Sequence, residues 1–230
     1  MNALQKHDFI ELESVDCLIG VDEAGRGCLA GPVTAGACLL RRGFFESDEA
    51  IELSASINDS KKLSSKARSA QFTVINQLGD QGLLDFEVAS GSVEEIEMFN
   101  ILGATRLAMK RALEALAARL SNLELPESTT DGPLFRRTNH VSILVDGRPL
   151  KPFPYAHTGM VKGDGKSLAI AMGSIVAKVS RDREMIRLAE QYPEYAFDKH
   201  KGYGTAAHRT ALRKYGVTDI HRQLFVSSFC

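Results

Sequence analysis

No two of the four cysteines, Cys17, Cys28, Cys38 and Cys230, stand at the close spacing that a zinc site or a redox motif needs. Reduced thiols in a cytoplasmic protein are therefore the expectation. No apolar stretch reaches membrane-spanning length, and the opening segment MNALQKHDFIELES has neither an apolar signal core nor an Arg-rich amphipathic pattern. The chain is thus expected to be soluble, unexported and unconnected with membranes. Nor is there an excess of charge of one sign. The 28 Lys+Arg stand against 29 Asp+Glu, a formal net charge of -1, which does not by itself mark a nucleic-acid binder. Internal repeats and low-complexity tracts are missing as well.

What is present fits one ordinary globular domain. At 230 residues, 44% hydrophobic and 25% charged, the chain can bury a sizeable core. Its charge is unevenly spread: from Lys178 to Cys230 there are 10 Lys+Arg and 6 Asp+Glu, with His200, His208 and His221 besides. A site for a polyanion should lean on this C-terminal part, where Lys178, Lys199 and Lys201 join Lys61 and Lys62 as candidates for phosphate contacts.

Short apolar or β-branched segments at 17–21, 33–40, 84–89 and 141–145 read as strands. Helices are expected from a Ser64 or Ser65 cap to about Leu78, over Ile101 to Leu120, over Leu168 to Glu190, and over Thr205 to Tyr215. The breaker-rich stretch between Leu123 and His140 reads as an exposed loop. Strands mixed with long helices give an α/β sheet with helices on both faces and a helical C-terminal extension.

The chemistry concentrates where strands end. The first strand breaks into Asp22-Glu23 and then Gly25-Arg26-Gly27, and the strand at 141–145 ends in Asp146-Gly147. Carboxylates at the end of a buried strand are costly to desolvate unless a cation compensates them. Loops at strand ends collect functional groups in such folds, so Asp22, Glu23 and Asp146 can converge, with Asp164 as a fourth member. Mg²⁺ takes oxygen ligands, commonly one or two carboxylates with water and phosphate oxygens. Two such ions roughly 3.5–4 Å apart stabilise the attacking and leaving oxygens of an in-line displacement. The glycines permit close backbone approach to a ligand, and Arg26 offers a forked donor suited to phosphate.

Other features read more simply. Successive strand residues point to opposite faces, so Asp22 and Glu23 share one site only where the strand ends or is distorted. Asp182, within Ser180-Arg181-Asp182-Arg183, reads as a structural ion pair. Gly163-Asp164-Gly165-Lys166-Ser167 resembles the end of a phosphate-binding P-loop, but the second glycine that motif requires is replaced by Met160. His200 and His208 lack the separation of a helical zinc pair and read as surface or polyanion-facing residues.

Six ordered blocks carry a family resemblance: Gly20 to Gly27, Asn58-Asp59-Ser60-Lys61-Lys62-Leu63, Val145-Asp146-Gly147, Lys162-Gly163-Asp164, Ser174 to Asp182, and His200-Lys201-Gly202-Tyr203. From about Leu18 to Phe225 the chain resembles bacterial ribonuclease HII. The resemblance implies an RNase H-like mixed sheet flanked by helices and one catalytic domain over 1–230, with about 198–230 as its extension; a monomer is the expectation for its assembly. The resemblance also implies cleavage of RNA within RNA–DNA hybrids, or at ribonucleotides embedded in duplex DNA, dependent on Mn²⁺ or Mg²⁺. Carried over by position, Asp22, Glu23, Asp146 and Asp164 match the metal-binding and catalytic acids. Gly25, Arg26 and Gly27 match the loop whose backbone recognises the ribose 2′-hydroxyl and its phosphate, and Tyr203 the tyrosine at the ribonucleotide junction; Lys61 joins them as a substrate contact on its charge. Ala24 after Glu23, and the short segment before the first strand, separate the chain from the related ribonuclease HIII. Ala171-Met172-Gly173 departs from the family's run of small residues and predicts altered packing under the site. The rival classes are another two-metal nuclease or strand transferase on the same fold and a catalytically silent nucleic-acid-binding module.

Overall fold

Cys17–Ala24 (β1) and Val33–Arg41 (β2) pair antiparallel, and Leu84–Gly91 (β3) adds to β2 in the same sense. Val141–Asp146 (β4) runs parallel to β1, and the short Thr158–Met160 (β5) parallel to β4. The mixed sheet has the order β3-β2-β1-β4-β5. The computed structural model describes residues 1–58, 63–120, 122–128 and 141–227. Lys61, Lys62, Cys230 and residues 129–140 of the expected loop lie outside them.

Both faces of the sheet are covered, which is why β1 and β2 read as near-continuous apolar runs rather than alternating ones. The covering helices are Ala3–Glu11 (α1), Asp48–Ser54 (α2), Ser65–Asp80 (α3), Val93–Arg119 (α4) and Leu168–Gln191 (α5). Ile19, Val21, Leu39 and Val145 bury against Ala108, Met109, Leu113 and Leu116 of α4. Leu18, Leu40 and Leu144 bury on the opposite face with Ile75 of α3 and Ile170, Met172 and Ile175 of α5. Each such side chain contributes roughly 1.5–3 kcal/mol by leaving water. Phe197–His200 (α6), Ala206–Tyr215 (α7) and Gln223–Val226 (α8) pack with Leu29, Met185 and Leu188 in a separate cluster, the expected helical C-terminal part.

The closest contact between layers is backbone on backbone. A Cβ at Gly20 would lie 2.1 Å from the Ala169 carbonyl carbon and 2.2 Å from the Ile170 nitrogen, and one at Gly36 would lie 2.3 Å from the Gly173 oxygen. Gly173 in turn faces the oxygens of Gly36 and Gly20 at 2.9 and 3.0 Å from its would-be Cβ. Helix α5 therefore lies directly on β1 and β2, and Gly173 is the small residue this packing demands. Met172 beside it is fully buried, its sulfur 3.7 Å from Cys38 Sγ. The start of α5 is capped from α1: buried Asp8 accepts from Ala169 N at 2.7 Å and from Ser167 Oγ at 3.1 Å, an anion placed on a helix N-terminus.

Several sequence expectations shift. Helix α4 begins at Val93, eight residues before the apolar periodicity at Ile101, under a Ser92–Glu95 capping box. The run from Ile101 is nonetheless a separate start, because Asn100 leaves helical geometry (φ 57°) and its side chain accepts from Leu102 N and Gly103 N. Helices α1 and α2 and strand β5 carry too little pattern to be read from sequence. Leu123 and Leu125 pack against the core, and Glu127 bridges to Tyr155, so residues 123–127 are not wholly an exposed loop. His200 and His208 are not surface residues either. Both are buried with His221, because Phe197 and Tyr195 fold the 195–221 segment around them.

Two outcomes follow from this packing. Gly20→Ala should destabilise the protein by at least about 3 kcal/mol, since neither backbone atom it meets can move aside. Gly79→Ala in α3, whose nearest neighbour would be 3.5 Å away, should instead be neutral or stabilise by up to about 1 kcal/mol. Urea midpoints of the two variants make the comparison, and equal midpoints would show that the glycine contact is not limiting.

Burial lowers the pKa of His208 and of His221 to about 4 each. Bases held neutral in the fold contribute stability that is complete above their ordinary pKa of about 6.5 and is lost as pH falls toward 4. Urea midpoints should fall more steeply over that window in the wild type than in His221→Gln. Parallel pH profiles would exclude the imidazoles as the cause.

Candidate metal centre and nucleic-acid interface

Parallel pairing places the first two acids together. Val21 of β1 is registered with Val145 of β4, so the next residue on each strand, Asp22 and Asp146, emerges at the same sheet end. By alternation both lie on the α5 side, with Leu18 and Leu144. The third comes from a turn before α5. Lys162 takes a left-handed conformation (φ 58°), a short 3₁₀ turn Gly163–Gly165 follows, and Gly163 N donates to Asp146 Oδ1 at 2.6 Å. Oxygens of Asp22, Asp146 and Asp164 then lie within 4.8 Å of one another. Asp22 and Asp164 are only 1% and 4% exposed.

Three carboxylates at this separation, two of them buried, repel strongly in a low dielectric. They form an all-oxygen donor set of the kind hard divalent cations take, and such an ion would offset the repulsion. Glu23 is not in this group. Strand β1 stays regular through Ala24, so Glu23 emerges on the other face, where its carboxylate accepts from Arg26 at 3.0 Å.

The Gly25–Gly27 turn follows at once. Gly25 has φ +96°, and a Cβ there would overlap the Arg181 side chain, 1.9 Å from Nε. Two fully buried arginines hold the segment beyond it. Arg181 donates to the carbonyls of Pro32 (2.8 Å), Lys201 (2.9 Å) and Ala30 (3.0 Å). Arg222 donates to Arg26 O (2.9 Å), Gly31 O (2.8 and 3.0 Å) and Pro32 O (3.1 Å). Burial lowers the Arg222 pKa to about 10, which leaves it charged at neutral pH. With these carbonyls held inward, Arg26 and Gly27 stay exposed beside the acids.

Tyr203 reaches the same turn through a β-bridge to Cys28 and keeps 41% of its surface exposed. Burial of the remainder pushes its phenol pKa up. Lys178 Nζ sits 5.3 Å from the centre of the Tyr203 ring, a cation–π distance. Lys178 also pairs with Asp182 (2.7 Å), which meets Arg68 of α3 at 3.5 Å. Asp182 is therefore ion-paired as expected, but to Lys178 and Arg68 rather than to its flanking arginines. Lys199 is exposed and pairs with Asp198, while the Lys201 ammonium bonds the Asp198 carbonyl. Lys61 lies outside the described residues.

The structure thus brings Asp22, Asp146 and Asp164 into one group, with Gly25–Gly27 and Tyr203 alongside. Sequence reasoning missed Arg181 and Arg222, because a charged residue is assigned to the surface by default. One signal was available for Arg181. It stands at helical spacing within the buried stripe Ser174, Ala177, Met185 and Leu188 of α5, in a place where an apolar residue is expected.

Residues 19–228 match the family described as Ribonuclease HII. The chain is 43% identical over 213 residues to the Ribonuclease HII of Fusobacterium nucleatum subsp. nucleatum, covering 91% of this chain and 85% of that one. Among solved structures it is similar to the ribonuclease H2 from Pyrococcus horikoshii OT3 (TM-score 0.62, 23% identity, 93% of this chain and 96% of that one). It is also similar to Bst-RNase HIII in complex with Mn²⁺ (TM-score 0.59, 18% identity, 90% and 65%). At these identities the two structures speak for the fold, an RNase H-like one.

Relief of carboxylate repulsion gives a test that needs no activity. Asp146→Asn keeps an acceptor for Gly163 N while removing one charge, so in excess chelator its Tm should rise by roughly 2–4 °C, about 1 kcal/mol. Stabilisation of the wild type by added Mn²⁺ should be largely lost in the variant. An unchanged Tm in chelator together with undiminished Mn²⁺ stabilisation would remove Asp146 from a metal site.

Proposed function

Since the chain belongs to the ribonuclease HII family and is a metal-dependent endoribonuclease H, we propose that it cuts both the RNA strand of RNA–DNA hybrids and single ribonucleotides embedded in duplex DNA. The observation that carries this reading is the three-carboxylate group placed beside an exposed glycine turn. One part suits phosphodiester hydrolysis, and the other suits recognition of the ribose next to the scissile bond.

In this proposal Asp22, Glu23, Asp146 and Asp164 form the metal-binding and catalytic set. Glu23 stands next to Asp22 at the end of β1, and its partly exposed carboxylate joins the set by exchanging its ion pair with Arg26 for a cation. Two Mn²⁺ or Mg²⁺ ions, when bound, supply charge stabilisation for the attacking and leaving oxygens of an in-line displacement. The chain's own groups do the selection. The Gly25–Gly27 backbone approaches the 2′-hydroxyl, the one local group that distinguishes RNA from DNA. Arg26 and Lys61 contact phosphates, and Tyr203 packs against the sugar at the junction from ribonucleotide to deoxyribonucleotide. Arg181 and Arg222 hold the glycine turn so that its backbone is presented rather than turned inward.

The proposal takes residues 1–230 as one catalytic domain, with about 198–230 as a helical extension that delivers Tyr203. It acts as a monomer in the cytoplasm, a setting supported by the free thiols of Cys17, Cys28 and Cys38.

Matched duplexes with zero, one and four ribonucleotides test the reading. The wild type should cut the second and third and leave the first intact. Tyr203→Ala should lower cleavage of the single-ribonucleotide duplex roughly tenfold more than that of the four-ribonucleotide duplex, an effect of about 1.4 kcal/mol. Cleavage of the all-DNA duplex would overturn ribose recognition. Equal losses on both ribonucleotide substrates would remove Tyr203 from the junction.

A further inference from the structure

Beneath Tyr203 lie three imidazoles that no step above uses. The His208 ring stacks on His200 with centroids 4.5 Å apart at 12°, and His208 Nε2 lies 3.1 Å from His221 Nε2. Two nitrogens facing each other at that distance form a hydrogen bond only if one carries a proton and the other does not. The outer contacts decide which. Thr218 N–H donates to His221 Nδ1 at 3.1 Å, so the His221 proton sits on Nε2. The Tyr203 carbonyl can only accept, and His208 Nδ1 lies 3.0 Å from it, so the His208 proton sits on Nδ1. One direction remains: Thr218 N–H to His221, His221 Nε2–H to His208, and His208 Nδ1–H to the Tyr203 carbonyl.

The third ring holds the other side of the same turn. His200 Nε2 lies 2.7 Å from the Tyr195 carbonyl, and His200 Nδ1 accepts from Gly202 N at 3.2 Å. Between these anchors Lys201 and Gly202 take left-handed conformations (φ 51° and 80°), and Gly202 O accepts from Leu29 N at 2.8 Å. The turn that presents Tyr203 is therefore strained backbone fixed by imidazoles and tied to the glycine-turn segment.

We propose that His208 and His221 are positioning residues for ribonucleotide recognition, a directed hydrogen-bond pair that fixes the Tyr203 backbone so that its ring meets the sugar. The proposal rests on the junction role given to Tyr203 above. Replacing either ring with Phe keeps the packing and removes the chain of donors, whereas His221→Gln can still accept from Thr218 N and donate to His208.

His221→Phe and His208→Phe should each lower cleavage of the single-ribonucleotide duplex at least fivefold relative to the four-ribonucleotide duplex, and His221→Gln should restore most of that ratio. In a Tyr203→Ala background the Phe variants should cause no further change in the ratio, because their effect passes through the missing ring. Imidazole ¹⁵N shifts of the wild-type protein at pH 7 should show His208 protonated at Nδ1 and His221 at Nε2, a reading that needs no variant to fold. Opposite tautomers, an unchanged ratio in folded Phe variants, or a further change in the Tyr203→Ala background would each overturn the proposal. Failure of the junction reading is separately visible, since Tyr203→Ala would then leave the substrate ratio unchanged.

Discussion

Helix α5 rests on β1 and β2 with no side chain between the backbones at Gly20, Gly36 and Gly173, and most of the site depends on that contact. The closeness sets the height of the helix above the sheet. It thereby sets the position of the Gly163–Gly165 turn that enters α5, and with it Asp164, relative to the ends of β1 and β4. Farther along α5, the same height places Arg181 directly over Gly25. A Cβ at Gly20 would meet the α5 backbone at 2.1 Å, so the helix would have to lift and Asp164 would draw away from the strand ends, whereas a Cβ at Gly25 would displace the Arg181 side chain, 1.9 Å away.

The second organising device is unusual in its charge. Two buried guanidinium groups, from α5 and from the C-terminal part, give their hydrogen bonds to carbonyl oxygens of the 26–32 segment and of Lys201. A carboxylate partner would neutralise them. Carbonyl partners satisfy the donors and leave positive charge beneath the exposed Arg26–Gly27 turn, which favours the approach of a phosphodiester. The negative group of Asp22, Asp146 and Asp164 lies next to this positive floor. A cation and a phosphate can therefore be held side by side.

Cys38 and the Lys178–Asp182–Arg68 cluster take ordinary structural places. Cys38 is wholly buried, and burial pushes its thiol well above the usual range, so it acts as a small apolar residue. Asp182 draws Lys178 and Arg68 together, linking α5 to the helix that follows the 58–63 segment. That link is structural, yet it also sets the ammonium beside the Tyr203 ring.

Much of the fold was legible because its signals are local. The apolar runs of β1, β2 and β4, the serine caps of α3 and the spacing within α5 all state their own periods, and the sequence alone marked Asp22, Asp146 and Asp164 as acids at chain breaks. The ordered blocks identified the family. Pairing and depth were decided only in three dimensions. The parallel register of β1 with β4 places Asp22 beside Asp146, and strand alternation sends Glu23 to the other face. The fates of Arg222, His208 and His221 were illegible, and that of Arg181 was written only in the apolar spacing around it, because a polar residue looks the same in sequence whether water or protein satisfies it. Their partners are backbone carbonyls, amides and one another, up to 196 residues away in the chain, and only the packed structure brings those partners within reach.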